Sequence, residues 1–147
     1  MAFKSLDLRE LLHQIGQVGK RLSDIGATEA AAGNLSICFR EDVDLSLHFP
    51  DVQEIHLPVP APDLAGATLI VSGSGRRLRD ILEAPTATLA CIVVESGGQK
   101  GRMHTSPARQ FQRVTSEFNS HLAVHHDQMR RKESKLHTVL HAQPVHL

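Results

Sequence analysis

The segment from Thr88 to Val94 is almost entirely apolar and strongly constrains the fold. A short run of this kind is typical of a strand buried inside a sheet. Such a strand needs a packed layer against it, and residues 7–25 offer one, because their apolar residues recur at spacings of three, four and seven. Asp7 and Glu10 resemble a capping box at the start of this amphipathic helix, and Gly26 is suited to end it.

The remaining segments alternate between the two patterns. We expect strands at residues 35–39, 54–59, 67–71, 101–104 and 136–141, and helices at residues 76–82 and 116–130. Pro58, Pro60 and Pro62 place the second of these strands at a sheet edge or in a loop, because proline has no backbone N–H. Residues 83–87, around Pro85, are predicted to form a turn. Together the pattern indicates a mixed α/β layer structure.

Length and charge limit the functions open to the chain. Its 147 residues suffice for one domain with a single core, which we expect to span residues 1–147. Sixteen basic residues balance 16 acidic ones, which argues against nucleic acid or a membrane surface as a partner. No run approaches the roughly 18 apolar residues of a membrane span, so we predict a cytoplasmic protein. Cys38 and Cys91 lie in strand-like runs and are interpreted as buried free thiols.

Two glycine-bearing segments have the composition of anion-binding loops. Ser72-Gly73-Ser74-Gly75 follows a strand-like run and precedes Arg76 and Arg77, so that amides, hydroxyls and cations would surround one anion. Gly33-Asn34-Leu35-Ser36 gives a weaker signal, in which the Asn34 amide would donate to a phosphate. Each segment is also compatible with an ordinary turn, which is the commoner arrangement.

A carboxylate and two imidazoles follow one another in the last predicted helix. Glu117, His121 and His125 are spaced by four and therefore share one helix face. This array is able to bind a divalent ion, as two histidines at i and i+4 chelate zinc, but a solvated polar stripe has the same spacing. Ser116 near the first turn would leave amides free for an anion, and Glu117 beside a metal would act as general base.

The last predicted strand carries further candidate ligands. Alternation places His137, Val139, His141 and Gln143 on one side. His141 is the strongest metal ligand among them. Gln143 would offer an amide oxygen, which suits zinc poorly, and His146 would substitute for it only if the chain turns after the strand. Because a catalytic zinc site takes three protein ligands, this set is incomplete.

In this order, the segments resemble the class II aldolase/adducin family from the first helix to the last residue. Gly33-Asn34-Leu35-Ser36 is similar to the family's first phosphate loop, and Ile70-Val71-Ser72-Gly73-Ser74-Gly75 to its second. Thr115-Ser116-Glu117 resembles the segment in which serine contacts phosphate and glutamate is the catalytic base. Val139-Leu140-His141 resembles the strand that delivers the first metal-binding histidine.

The resemblance implies a fold, an activity and an assembly. The fold is a central, mainly antiparallel sheet flanked by helices, and the assembly is a homo-oligomer, usually a tetramer. The activity is that of a lyase of carbohydrate metabolism that cleaves a ketose 1-phosphate to dihydroxyacetone phosphate and an aldehyde, with zinc or another divalent metal as Lewis acid. Glu117 would move a proton, while Asn34, Ser74, Gly75 and Ser116 would hold the phosphate of this small phosphorylated sugar.

The chain departs from the family pattern in three places. The family has histidine two residues after His141, where this chain has Gln143. The family also has a polar residue three before the loop asparagine, where this chain has Ala31. Its third metal-binding histidine and a tyrosine general acid belong beyond Leu147, and this chain contains no tyrosine. We therefore expect an incomplete catalytic domain, truncated at its C-terminus.

Three functions follow from these features. The first is a metal-dependent aldolase present as a fragment, favoured by both glycine loops and the adjacent Ser116 and Glu117. The second is a non-catalytic, adducin-like oligomerising domain, favoured by Gln143. The third is a dehydratase of the same family acting on another ketose 1-phosphate, which product analysis would distinguish.

Overall fold

The computed structural model describes residues 6–28, 32–131 and 135–143. Its strands are β1 (Asn34–Phe39), β2 (Asp51–His56), β3 (Thr68–Ser72), β4 (Leu89–Val94), β5 (Lys100–Thr105) and β6 (Leu136–His141). Its helices are α1 (Leu8–Asp24), the single turn α2 (Pro85–Thr88) and α3 (Phe118–Arg131), with 3₁₀ turns at Pro62–Leu64 and Leu78–Asp80. Among the described residues, none of the helices combines the length and apolar character needed to cross a membrane.

The six strands form one antiparallel sheet in the order β2-β5-β4-β3-β1-β6. The predicted fold class, a central antiparallel sheet with helices, is confirmed. The apolar run of residues 88–94 supplies β4, which pairs with β3 and β5 inside the sheet. Ala90, Cys91 and Ile92 of this strand are 0% exposed, as its composition predicts.

Helix α1 follows the predicted apolar stripe. The Asp7 carboxylate caps its first turn by accepting a hydrogen bond from the backbone N–H of Glu10 at 3.3 Å. Gly26 has a φ of +72°, a left-handed conformation that favours glycine just after a helix. Leu12 and Ile15 are among the buried residues of the stripe, and each such side chain contributes on the order of 1.5–3 kcal/mol.

The two faces of β1 meet different helices, and this determines where the polar residues lie. The apolar residues of one face pack in the core cluster that includes α1, namely Leu35, Ile37 and Phe39. The other face, formed by Asn34, Ser36 and Cys38, is directed toward α3. Period-two alternation therefore collects the polar residues of β1 beneath α3.

The two cysteines are buried free thiols, as predicted. Cys38 belongs to the core cluster beneath α3, whereas Cys91 belongs to the cluster that includes α1, so the two lie on opposite faces of the sheet. Burial raises the pKa of the Cys38 thiol to about 12 and also raises the pKa of Cys91. Both thiols are therefore protonated at neutral pH and poor nucleophiles.

Three predicted elements differ from the structure, namely the strand at residues 54–59, the helix at residues 76–82 and the turn at residues 83–87. Strand β2 ends at residue 56 rather than 59, because Pro58 and Pro60 have no N–H for a strand ladder; its position at the sheet edge agrees with the prediction. The helix expected at residues 76–82 is only the 3₁₀ turn Leu78–Asp80. Pro85 begins α2 where a plain turn was expected, and it holds Ala84 out of helical conformation, at φ −138° and ψ 63°.

Candidate active site

A polar cavity of about 210 Å³ lies where β1 begins, β3 and β6 end, and α3 is about to start. Most of the residues predicted from sequence to form a site lie on its wall, namely Asn34, Ser74, Gly75, Ser116, Glu117, His141 and Gln143. The structure thus brings together distant residues, such as Asn34 and His141, which are 107 positions apart in the chain. Of the other predicted positions, Ala31 and His146 lie outside the described residues. The roles assigned to all these residues stay predictions.

The register of two neighbouring strands fixes one side of the cavity. Asn34 in β1 is paired directly with His141 in β6, so the two side chains leave the same face of the sheet. Glu117 sits just before α3 and meets both of them. The predicted meeting of a carboxylate from the start of a helix with an imidazole from the last strand therefore occurs.

The loop after β3 is held against the segment that precedes α3. Gly73 forms an isolated bridge with Val114, and the N–H of Ser74 donates to the carbonyl of Arg113 at 2.8 Å. A Cβ added to Gly73 would lie 2.4 Å from a ring carbon of Phe111, so glycine is required for this close approach. The loop is thereby fixed beside the start of α3.

Several donors at the mouth of the cavity are available to a ligand. Within the described residues, neither the hydroxyls of Ser74 and Ser116 nor the backbone N–H of Gly75 makes a hydrogen bond. All three residues are exposed, and Gly75 adopts the left-handed conformation at φ +77°. Neutral donors of this kind, placed at a helix N-terminus, suit an anion.

The two arginines that follow this loop do not take the place expected of them. The guanidinium of Arg76 donates to Gln110 Oε1 at 3.3 Å, and Arg77 lines a separate small cavity beside Thr28. In the described part of the chain no arginine or lysine lines the polar cavity. The donors there are therefore hydroxyls and amides.

Glu117 is the best-positioned ionisable group of the cavity. Its Oε2 accepts a hydrogen bond from His141 Nδ1 at 2.6 Å and a short one from Asn34 Nδ2. These two donors, His141 first, lower the pKa of the Glu117 carboxyl. The side chain is 43% exposed, so this ionised carboxylate is accessible to a ligand in the cavity.

The two histidines of α3 are neither metal ligands of this cavity nor a solvated stripe. His121 is 2% exposed and His125 is 0% exposed. Both hydrogen-bond to the hydroxyl of Ser36, at 2.7 and 2.6 Å, and His121 also contacts the Asn34 side chain. Spacing by four correctly predicted their common face, but the strand to which that face binds depends on tertiary packing.

The described residues do not complete a zinc site. They contain no group of three or more histidine, cysteine, aspartate or glutamate side chains arranged to hold a metal ion. His141 is suited to be one ligand, because donation from Nδ1 to Glu117 leaves the lone pair of Nε2 available. Gln143 adds only an amide, which zinc disfavours. The chemistry of this donor set therefore does not fit a complete catalytic zinc centre.

Sequence reasoning assigned no role to Ser36 and His137 in supporting the site. Ser36 is fully buried and contacts both α3 histidines, and His137 Nδ1 lies 2.9 Å from His125 Nδ1. The available signal was alternation, since Ser36 lies two residues after Asn34 and His137 four before His141. Reading that alternation together with the helix spacing would have placed all of them on facing surfaces.

No protein-family model matches the chain, but curated proteins are similar to it. Rhamnulose-1-phosphate aldolase of Escherichia coli O157:H7 is 29% identical over 127 residues, or 83% of this chain and 45% of that protein. Rhamnulose-1-phosphate aldolase of Enterobacter sp. (strain 638) is 28% identical with the same coverage. The chain thus spans about half the length of the curated relatives it matches.

A solved structure gives the corresponding result for the fold. The crystal structure of a sugar-phosphate aldolase from Thermotoga maritima matches with a TM-score of 0.70 and 24% identity, covering 94% of this chain and 55% of that chain. The resemblance to the class II aldolases, over the N-terminal portion of the relatives, is confirmed.

Proposed function

We propose, starting from the relationship of this chain to the class II aldolases, that it forms the phosphate-binding and proton-transferring part of an aldolase. The substrate is a ketose 1-phosphate of the rhamnulose 1-phosphate type, and the products are dihydroxyacetone phosphate and an aldehyde. One observation carries the proposal: a single cavity joins anion donors that have no hydrogen-bond partner among the described residues to an accessible, ionised carboxylate, with Ser116 and Glu117 adjacent in the chain.

The phosphate is assigned to the end of the cavity formed by Ser74, Gly75 and Ser116. Their hydroxyls and N–H group are oriented by the loop after β3 and by the N-terminus of α3, whose dipole favours negative charge. The amide of Asn34, whose nitrogen contacts Glu117 and lies 3.3 Å from His141 Nδ1, has two N–H groups and is also assigned to the phosphate. A volume of about 210 Å³ is below the roughly 300–1,000 Å³ of drug-sized sites and suits a small ligand.

Glu117 is assigned the proton transfer. In the condensing direction its carboxylate takes a proton from the hydroxymethyl carbon of dihydroxyacetone phosphate, and the electron pair of that C–H bond forms the new C–C bond to the aldehyde. The π electrons of the aldehyde C=O bond move to its oxygen, which takes a proton from water, and Glu117 returns its own proton to solvent. In the cleaving direction it returns the proton to the same carbon. His141 and Asn34 hold the carboxylate ionised and oriented for this step.

The aldehyde is assigned to a second cavity of about 230 Å³, which shares Glu117 and His141 with the first. Its other lining includes Val124 and Val139 and is mostly apolar. The pair Glu117–His141 therefore stands between a polar and an apolar compartment. This arrangement matches a substrate with a phosphate at one end and a carbon chain at the other.

These steps use only residues of this chain. Zinc or another divalent metal is also proposed as a cofactor. It would need a complete ligand set, of which His141 would be one member. The homo-oligomer, which the resemblance implies, and the cytoplasmic location, which the sequence predicts, also stay proposals.

The test uses dihydroxyacetone phosphate itself in deuterated water. Glu117→Gln should lower the rate of deuterium incorporation at the hydroxymethyl carbon by about 10²-fold or more, because it removes the general base. Binding of inorganic phosphate, measured by calorimetry, should be unchanged or tighter, since a negative charge next to the anion is removed. Proton NMR follows the exchange with and without added zinc.

Two controls separate the roles. Glu83→Gln makes the same chemical change at an exposed site outside the cavity and should leave both measurements unchanged. Ser116→Ala should weaken phosphate binding, whereas Ser120→Ala, one turn into α3, should not. Two results would contradict the proposal. One is deuterium incorporation that persists in Glu117→Gln. The other is a wild-type protein that neither binds phosphate nor catalyses deuterium incorporation when zinc is present.

The second candidate is the non-catalytic, adducin-like oligomerising domain. The observation that favours it is Gln143 on the cavity wall in place of the family's histidine. It predicts a defined oligomer by light scattering together with no exchange at any zinc concentration. The dehydratase alternative predicts exchange without aldehyde formation from the ketose 1-phosphate.

A further inference from the structure

A continuous chain of polar side chains runs beneath α3, from the end of the cavity into the core. It connects Glu117, Asn34, His121, Ser36, His125 and His137 in that order. Ser36 Oγ lies 2.7 Å from His121 Nδ1 and 2.6 Å from His125 Nε2. The last contact, His125 Nδ1 to His137 Nδ1, is 2.9 Å, with the two rings perpendicular at 89°.

The carboxylate fixes the direction of these hydrogen bonds. An ionised carboxylate only accepts, so Asn34 must direct its NH₂ group to Glu117 and its Oδ1 to His121. Because Oδ1 also only accepts, His121 carries its proton on Nε2. A neutral imidazole then has a bare Nδ1, to which the Ser36 hydroxyl donates.

The directions of the hydrogen bonds beyond Ser36 follow in the same way. Ser36 has used its single proton on His121, so His125 must donate to the Ser36 oxygen from a protonated Nε2. Nδ1 of His125 is then an acceptor, and His137 donates to it from Nδ1–H. The opposite direction would require a protonated Glu117 with Asn34 Oδ1 turned toward it.

We propose that Ser36, His121, His125 and His137 are positioning residues, which form a one-directional hydrogen-bond chain that holds the NH₂ group of Asn34 toward Glu117. The chain resists rotation of the Asn34 amide, because a flipped amide would point its NH₂ group at the N–H of His121. Glu117 thereby keeps a donor that orients its carboxylate. Only this last consequence rests on the proposed function.

Burial supports the protonation states that the chain requires. Desolvation is the main cause that lowers the pKa of His121, and it lowers the pKa of His125 to about 3, so both rings are neutral at neutral pH. Ser36 and His125 are 0% exposed, and a buried polar group without a partner is costly. A fully satisfied network of this kind specifies one arrangement of its side chains.

The first test needs no substitution. Long-range proton–nitrogen NMR spectra of the whole chain at neutral pH should show His121 and His125 protonated on Nε2 and His137 protonated on Nδ1. His126, on the same helix but paired with Asp63, is the internal reference for a histidine outside the chain. A proton on His137 Nε2 with a bare Nδ1, or on Nδ1 of His121, would overturn the proposal.

The second test breaks and restores the chain at His121. In His121→Leu, solvent exchange of the Asn34 side-chain NH₂ protons should accelerate about fivefold or more, the effect of losing one hydrogen bond. His121→Gln should restore slow exchange, because its amide donates to Asn34 and accepts from Ser36. His126→Leu should have no effect. A merely structural defect would not be rescued by glutamine, and equal exchange in all variants would overturn the proposal.

The two tests also separate this proposal from the proposed function. If the histidines have the assigned tautomers but the protein neither binds phosphate nor labels dihydroxyacetone phosphate, the hydrogen-bond chain is supported and the proposed aldolase function is overturned. Labelling that depends on Glu117 but not on His121, with the tautomers reversed, would overturn the hydrogen-bond chain and leave the aldolase standing.

Discussion

At the scale of single residues, His125 couples the stability of the fold to pH. Burial, followed by the neighbouring His137 and His121, lowers its pKa to about 3. An unfolded histidine titrates near about 6.5, so between these values the unfolded chain binds a proton that the folded chain excludes. Folding is therefore destabilised as the pH falls through this window, and the contribution of His125 is fully present only above it.

The substitution His125→Gln should reduce this pH dependence. Glutamine keeps a donor for Ser36 and an acceptor for His137 but does not titrate. Between about pH 6 and 5, the free energy of unfolding should fall more steeply in the wild type than in the variant, by up to about 1.4 kcal/mol per pH unit. Urea unfolding at several pH values measures both slopes. Parallel slopes would show that His125 becomes protonated without unfolding the chain.

For single residues, the sequence predicted where side chains lie better than which side chains they contact. Glu117 and His141 were expected to meet because a helix start and a strand end carried complementary groups, and they do meet. Asn34 was expected to face a phosphate, yet its amide also joins Glu117 to His121. Such double contacts depend on strand register and rotamers, which neither composition nor spacing determines.

At the scale of elements, the contact of α1 with residues 78–82, which include the 3₁₀ turn Leu78–Asp80, requires two small residues. A Cβ on Gly19 would lie 2.2 Å from the carbonyl oxygen of Leu78, and one on Gly16 would lie 2.5 Å from the Cα of Leu82. Backbone atoms cannot move aside as side chains do. The glycines of α1 therefore weaken the helix locally but permit its packing.

The sign of the stability change in Gly19→Ala tests this packing argument. Helix propensity alone predicts a gain of up to about 1 kcal/mol, whereas overpacking a fixed contact costs about 1–3 kcal/mol. We expect a net loss of stability, seen as a lower urea midpoint. Gln17→Ala changes an exposed neighbour on the same helix and should be close to neutral. A Gly19→Ala protein more stable than the wild type would show that α1 and the turn separate easily.

Elements were predictable where one local pattern dominates. The bounds of α1, β1, β4 and β6 agree within two residues with the sequence patterns, because periodicity and apolar runs are local properties. The segment after Gly75 was not predictable in this way. Its helical composition is overridden by close packing of the Leu78 and Leu82 backbone on α1, and Arg77 is extended at φ −90° and ψ 135°.

At the scale of the whole molecule, the site exists only through long-range pairing. The strand order places β1 between β3 and β6, so that residues from near 34, 74, 117 and 141 reach one cavity. No local pattern contains that order. The resemblance to a known family implied only that the sheet is mainly antiparallel and that these residues share a site, and the solved aldolase has a similar fold.

Substitution of Gln143 tests whether the lack of a second histidine limits metal binding at this cavity. Gln143 lies two residues beyond His141, on the wall that also holds Glu117, and a bridge to Thr28 fixes its backbone. Gln143→His would bring two imidazoles and a carboxylate to one cavity, which is the ligand count of a catalytic zinc site. We expect zinc to bind more than about tenfold tighter than in the wild type, a change that even loss of an outer partner can produce.

Competition with a chromophoric zinc indicator measures this affinity. Gln143→Asn keeps an amide and should bind zinc like the wild type. Adding His141→Asn to Gln143→His should abolish the gain, which separates the cavity from the other histidines of the chain. If Gln143→His binds zinc no tighter than Gln143→Asn, then the cavity wall does not direct these side chains to one point, and a metal site would have to be built from other groups.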